Sequence, residues 1–452
     1  MKSENAVNDV FWYNCDMVHL KRTVVALIVL AAIVMVGILV IIFARGYRFN
    51  FGTRSIGSKG ILVANSAPNN AQIMVNGKLL GVTSDNLYLS PGNYQVVIKK
   101  EGYSDWQKNF TIKGEVVSRV DAQLFSSNPS LSPLTNNGVI NPQLSPLRDK
   151  LVYLALPDDN ELLLEKNDGL MLSNLNSSNL SFFRQHNQLI PYAKLPAGLV
   201  PEKTHFVFSN DEKALLAFFY DEYDNLFSVI HTTTGGSLGG FSDVTLSYQE
   251  FLAKWWAQRG LLQEKQYDTV KQKVRRVLKQ NTLLVEVSPD KSKLLYFTLK
   301  DAQLPRSIQP PLIGSVPTRE ERALKAANFY IYDKKEDKNF LLSVASSSAR
   351  LERKLLLDKL SAQKTNLTET DWFAFNHLFE EILWYSDSRH LIFSANATIS
   401  IIEYDGSNRI LVYSGPFEKS FLATTSDGRI VTLTNINPKK NKLPDLYSVS
   451  IK

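Results

Sequence analysis

One cysteine, Cys15, is all that the 452 residues contain. An intrachain disulfide is therefore excluded, and so is any zinc or iron–sulfur site built from several thiolates. Excess charge is scarce as well: 51 Lys and Arg against 44 Asp and Glu leave a net of +7. That surplus comes with no base-reading motif, so no nucleic-acid partner is expected. A Gly-rich phosphate loop is also missing. The chain is 44% hydrophobic and 21% charged, which places its bulk among globular proteins. Its length suits two to four domains of about 100–200 residues each.

Charge is wholly absent from one stretch. Residues 23–44 (TVVALIVLAAIVMVGILVIIFA) hold 22 residues without an ionisable side chain. A helix of that length spans about 33 Å, against about 30 Å for the hydrocarbon core of a bilayer. The apolar run exceeds the 7–15 residues of a secretory signal, and Phe43-Ala44-Arg45-Gly46 is no small-residue cleavage site. A single-pass transmembrane helix is expected, in contact with lipid through residues 23–44. Flanking charge (Lys21 and Arg22 before; Arg45, Arg48, Arg54 and Lys59 after) favours a cytoplasmic body, but large domains translocate largely regardless of charge. Cysteine usage points the other way. The 452 − 44 = 408 residues after Ala44 contain no thiol, as suits an oxidising compartment. We read residues 1–22 as a cytoplasmic tail and the body as extracytoplasmic, at the plasma membrane. Labelling of Cys15 by an impermeant reagent on intact cells would contradict that orientation.

After a spacer at 45–60, residues 61–125 read as short alternating strands joined by turn residues. Ile73 and Val75 alternate with Gln72, Met74 and Asn76; Asn76-Gly77 supplies the two positive-φ positions of a type I′ hairpin. Ser90-Pro91-Gly92-Asn93 predicts a type II turn, Tyr94, Val96 and Ile98 one face of a strand, and Glu101-Gly102-Tyr103 another turn. Trp106 and Phe110 are candidates to cover the core, and Val116 to Leu124 to close the sheet. A β-sandwich of about seven short strands follows. In this order, Val75-Asn76-Gly77, Gly81-Val82-Thr83, Leu89-Ser90-Pro91-Gly92-Asn93-Tyr94 and Lys100-Glu101-Gly102-Tyr103 resemble the PEGA domain. The eponymous tetrapeptide falls on Pro68-Asn69-Asn70-Ala71, where only the first and last residues match. That resemblance implies surface placement and interaction, with no shared catalytic residues.

Residues 126–140, with Asn128-Pro129-Ser130-Leu131-Ser132-Pro133, read as a linker. Over 141–452 a polar turn then precedes an apolar strand five times: Ser145-Pro146 before LVYLAL, Ser209-Asn210-Asp211 before ALLAFFY, Ser288-Pro289-Asp290 before KLLYFTL, Ser386-Asp387 before HLIFSA, and Ser426-Asp427-Gly428 before IVTLT. The theme resembles WD40-like and TolB-type β-propellers, with room for six or seven blades less insertions. Insertions are predicted as helices near 247–280 (broken at Gly260), 318–327 (a Thr318/Glu321 capping box) and 348–362. In the first, Tyr267, Val270, Val274, Val277 and Leu278 share one face. Thus the fold class is mainly β: one N-terminal transmembrane helix, a small PEGA-like sandwich, and a propeller-like domain with helical insertions.

Chemistry is thinly signalled. Gly235-Gly236-Ser237-Leu238-Gly239 matches the nucleophile-elbow string but lacks the strand directly before it and the helix directly after it. His186, His205, His231, His377 and His390 have no metal-ligand spacing. Asp158-Asp159 and Glu380-Glu381 are adjacent carboxylates, which point to opposite sides of a strand. No catalytic, cofactor-binding or metal-ligating residue is assigned. Lys265, Lys271, Lys273, Arg275, Arg276 and Lys279 form a basic helical run suited to phosphate groups of lipid or an anionic polymer. The expected function is a non-enzymatic, membrane-anchored surface protein, its sandwich a stalk or adaptor and its propeller a binding face for an envelope protein or polysaccharide. The alternative is an exported propeller hydrolase or lyase with its site near the central channel.

Overall fold

A computed structural model describes residues 24–41, 47–50, 55–157, 168–175, 186–232, 241–345, 347–362, 371, 373–375, 378–395, 398–418, 421–439 and 442–452. Cys15, the basic flanks of the apolar stretch up to Arg22, Asp158-Asp159, Gly235–Gly239 and His377 lie outside them. Val24–Ile41 forms α1, with a mean hydropathy of 3.4 and none of its residues buried. Within the expected spacer, Tyr47–Asn50 and Ser55–Ser58 pair as an antiparallel hairpin, Tyr47 opposite Ser58.

Seven strands make the sandwich. Asp85–Leu89, Gly60–Ala67 and Val117–Gln123 form one sheet, in that order; Lys78–Val82, Gln72–Val75, Gly92–Lys99 and Trp106–Ile112 form the other. Leu62, Ala64, Ile73, Val75, Val96, Ile98, Phe110 and Ile112 are buried, as the two-residue period requires. Asn76 (φ 49°) and Gly77 (φ 79°) make the I′ turn. The expected type II turn is absent: Gly92 is not in the left-handed region and already begins a strand. The Tyr94 hydroxyl instead donates to the Ser90 carbonyl (2.9 Å). The chain divides into two compact units, the first reaching Ile98 and including Asn109–Ala122, the second holding Lys99–Lys108 with Gln123–Lys452.

The second unit contains five four-stranded antiparallel sheets among the described residues, where the sequence left room for six or seven less insertions. Blade 1 is Ile140–Leu144, Lys150–Ala155, Gly169–Asn174 and His186–Ile190. Blade 2 is His205–Phe208, Ala214–Tyr220, Leu226–Thr232 and Phe241–Asp243. Blade 3 is Thr282–Val287, Lys293–Thr298, Phe329–Asp333 and Lys338–Leu342; blade 4 is Ile382–Trp384, His390–Ala395, Thr398–Glu403 and Ile410–Tyr413. Blade 5 is Leu422–Thr424, Ile430–Thr434 and Asp445–Ser450, completed by Ser130–Pro133. That last strand corrects the reading of 126–140 as a linker. Ser130 lies opposite Ser450 and Pro133 opposite Tyr447, so the segment before blade 1 closes the ring on blade 5. Pro133 is tolerated because it sits on an outer edge.

One turn recurs between the first two strands of every blade. It starts at Ser145, Ser209, Ser288, Tyr385 and Thr425, and the second strand begins five residues later each time. The residue three positions on is left-handed in all five: Arg148 (φ 59°), Glu212 (56°), Lys291 (58°), Ser388 (59°) and Gly428 (84°). Its N–H donates to the carbonyl of the first residue at 2.7–3.2 Å. Where that first residue is Ser209 or Ser288, its hydroxyl donates to the Asp two residues on and accepts the N–H five residues on. These bonds explain the Ser-x-Asp signature. In blades 4 and 5 the turn begins one residue earlier than the serines suggest, at Tyr385 and Thr425.

Each second strand is buried on both faces, which is why it reads as a nearly continuous apolar run. Leu151, Tyr153 and Ala155 pack with Ala423 and Val431 of blade 5, while Val152 and Leu154 pack with Phe206 and Ala217 of blade 2. Leu391 and Phe393 of blade 4 meet Leu295 and Phe297 of blade 3, and Ile392 meets Ile430 of blade 5. Between blades 2 and 3 stands a helical wedge: α2 (Tyr248–Asp268) covers Leu216 and Phe218 with Leu252 and Trp255, and α3 (Gln272–Asn281) covers Leu294 and Tyr296 with Val274 and Leu278. α2 runs straight through Gly260. The break falls at Thr269–Lys271, where the Thr269 hydroxyl caps the Gln266 carbonyl and Lys271 is extended. α4 covers Ser347–Ala362. Residues 318–327 are not helical. Ala323–Leu324 pairs with Ala302–Gln303, and the Thr318 hydroxyl is spent on Asp405 (2.5 Å).

Candidate functional site: an axial cup

Blade 1 neighbours blades 2 and 5, and blade 3 neighbours blade 4 and the helices, so a contact from blade 1 to blade 3 or 4 crosses the axis of the ring. Two such side-chain contacts are seen among the described residues. Gln143 Nε2 donates to Glu380 Oε1 (3.1 Å), just before blade 4. Arg148 Nε pairs with Glu286 Oε1 of blade 3 (3.1 Å), and the other Glu286 oxygen accepts the Trp384 N–H of blade 4 (3.2 Å). Burial pushes the Glu286 carboxyl above its usual range, against the pull of Arg148. Arg259 of α2, over the Phe375 ring at 4.6 Å, is lowered to about 10 by burial and then by Arg148.

Beside this plug opens a cavity of about 370 Å³. Its floor is the innermost strand of blade 1, bulged between Ile140 and Gln143 with Asn141 left-handed (φ 47°). Bulges of this kind re-aim side chains at functional sites. The Asn141 amide nitrogen donates to the carbonyls of Glu202 (2.9 Å) and Thr204 (2.6 Å). Gln143 Nε2 likewise has two acceptors, Glu380 and the Leu144 carbonyl (3.5 Å). The His205 ring, stacked on Phe373 at 4.1 Å, forms one wall, with Phe206 and Leu433 nearby. Glu202 and Glu418 also line the cavity; both residues are exposed.

Of the residues singled out in the sequence, His205 and Glu380 come to this region. His231 stacks on Phe241, and His390 bonds Asp387 (2.6 Å) within its turn. His186 begins the outer strand of blade 1. Glu381 pairs with Arg353. Among the described residues no group of three or more His, Cys, Asp or Glu is gathered as a metal ion requires. The basic run lies elsewhere, on α3 and the end of α2. Asp268 takes up Arg275 (3.2 Å) and Lys279 (3.1 Å), whereas Lys265, Lys271, Lys273 and Arg276 are exposed and have no partner among the described residues. Sequence reasoning missed Asn141, Gln143, Glu202, Phe373 and Glu418. Nothing local marks them, because only closure of the ring brings them together.

Residues 59–128 match the PEGA domain family. No curated protein matches the chain. Among solved structures it is similar to TolB from Acinetobacter baumannii (9% identity over 79% of this chain and 59% of that one, TM-score 0.21). It is similar also to a TolB from Agrobacterium tumefaciens (11%, 67% and 71%, TM-score 0.18) and to the β-propeller domain of Myceliophteria thermophila Cps50 (8%, 72% and 100%, TM-score 0.26). The chain spans about three fifths of the length of the first TolB. Sheet order, the repeated turn and the closing strand carry the fold by themselves: a PEGA domain at 59–128 is followed by a propeller-like body.

Proposed function

We infer that the protein is a membrane-anchored, non-enzymatic binding protein of the cell envelope, with α1 as its anchor, the PEGA domain as a stalk, and the body outside the cytoplasm. The axial cup takes the ligand, an envelope protein or polysaccharide. The observation that carries this reading is the cup beside the cross-axis bridges Gln143–Glu380 and Arg148–Glu286: a pocket with apolar walls and a few fixed polar groups is built to hold something. Pro142 lines the cup, half-buried, so Pro142→Trp fills it. Full-length protein in nanodiscs should capture an envelope component that the Pro142→Trp protein, unfolding at the same temperature, captures at least tenfold less. Equal capture by both contradicts the cup as the site.

The exposed cations Lys265, Lys271, Lys273 and Arg276, without a partner among the described residues, supply a second contact, for phosphate groups of lipid or an anionic polymer. Reversing Lys273 and Arg276 to Glu should abolish salt-sensitive co-sedimentation with anionic vesicles. Retained binding would show that the patch is only a solvated face.

A further inference from the structure

Apart from the His205 ring, which stacks on Phe373, the polar side chains of the cup offer acceptors. Asn141 and Gln143 have each committed both amide hydrogens: Asn141 to the carbonyls of Glu202 and Thr204, Gln143 to Glu380 and the Leu144 carbonyl. Those acceptors fix the orientation of both amides, because only the nitrogen can donate to them. What each side chain has left is its carbonyl oxygen, an acceptor, with no partner among the described residues. Glu202 and Glu418 add two carboxylates, again acceptors, whose side chains have no partner among the described residues. Around these oxygens the walls are apolar or aromatic: Ile140, Phe206, Phe373 and Leu433.

A ligand rich in acceptors, such as a carboxylate or phosphate, would set oxygen against oxygen with no hydrogen to share, displacing water without a compensating bond. A donor-only head satisfies all of them, and if it is charged the bonds to the carboxylates are of the stronger kind. The apolar walls call for an aliphatic stem behind that head. We propose that the cup recognises a protonated amine or guanidinium on an aliphatic stem, as a lysine or arginine side chain or a free diamine would present it. The proposal rests on the cup being the binding site and deepens that reading by naming what it binds.

Full-length protein in nanodiscs is titrated calorimetrically with Nα-acetyl-lysine methylamide, with its Nε-acetylated form, and with cadaverine. The lysine probe should bind saturably, the acetylated form about tenfold more weakly or worse, as loss of a charge-assisted bond implies. Glu202→Gln with Glu418→Gln should weaken the lysine probe by at least the same factor while leaving thermal unfolding unchanged. Cadaverine binding as well as the lysine probe supports recognition of the cation whatever carries it; lysine binding without cadaverine binding supports a polypeptide source. Equal affinity for both acetylation states, or no binding of either cation, overturns the proposal. If neither cation binds but Pro142→Trp still abolishes envelope capture, the cup stands and only the ligand class falls; if Pro142→Trp has no effect, the cup itself falls.

Discussion

Lys108 is nine-tenths buried between two carboxylates of the second unit, Glu403 and Asp405, the latter at 2.7 Å. The Trp106 indole, which the sequence suggested only as a core cover, donates to the same Glu403. Burial alone would lower the Lys108 pKa, but Glu403 and Asp405 overcome it and raise it. Burial would likewise raise Asp405, yet Lys108, Ser407 and Thr318 hold it below its ordinary 3.8. The signs define a window. A depressed carboxyl contributes stability that is complete above 3.8 and lost as pH falls through its folded value; a raised lysine contributes below 10.5 and loses it as pH rises past that. Lys108→Met leaves two buried carboxylates unpaired and should cost about 3–5 kcal/mol in urea unfolding at pH 7. The gap to the natural protein should narrow as pH drops below 3.8. A gap that is small, or constant with pH, would show that the pair is not buried in solution.

At the scale of elements, the apolar second strands were legible because burial on both faces leaves a continuous hydrophobic run, and so was α3, whose buried Val274 and Leu278 lie one turn apart. Gly260 misled because glycine raises the cost of a helix without ending it. A methyl group added there meets nothing within 4 Å, so Gly260→Ala should stabilise the chain by about 0.5–1 kcal/mol. Destabilisation in the same thermal melt would place the break where the sequence suggested. The capping box at Thr318 failed for a different reason. Its hydroxyl found Asp405, and Ala323–Leu324 found a strand partner, both far from the local pattern that defines a cap. The closing strand Ser130–Pro133 hid among turn residues, since its pairing partners lie more than 300 positions away.

At the scale of the whole molecule, the ring makes what the sequence could not display. Five copies of one turn were visible as a theme, but the blade count was not, because a helical pair fills the place between blades 2 and 3. Glu202 sits in the short 3-10 turn Pro201–Lys203 ahead of blade 2 and Glu418 in the segment ahead of blade 5, and no spacing rule joins them; the cup exists only once Ser130–Pro133 has closed blade 5 beside blade 1. The central claim is that a chain held by α1 captures its ligand at this axis. A photoreactive amino acid placed at position 142, in the full-length protein in native membranes, tests it most directly, with Leu411, exposed on the outer strand of blade 4, as the comparison. The account predicts an adduct with an envelope component at 142 and none at 411, in a protein that stays with the membrane at alkaline pH. Adducts at 411 alone, or release of the intact chain by alkali, would contradict it.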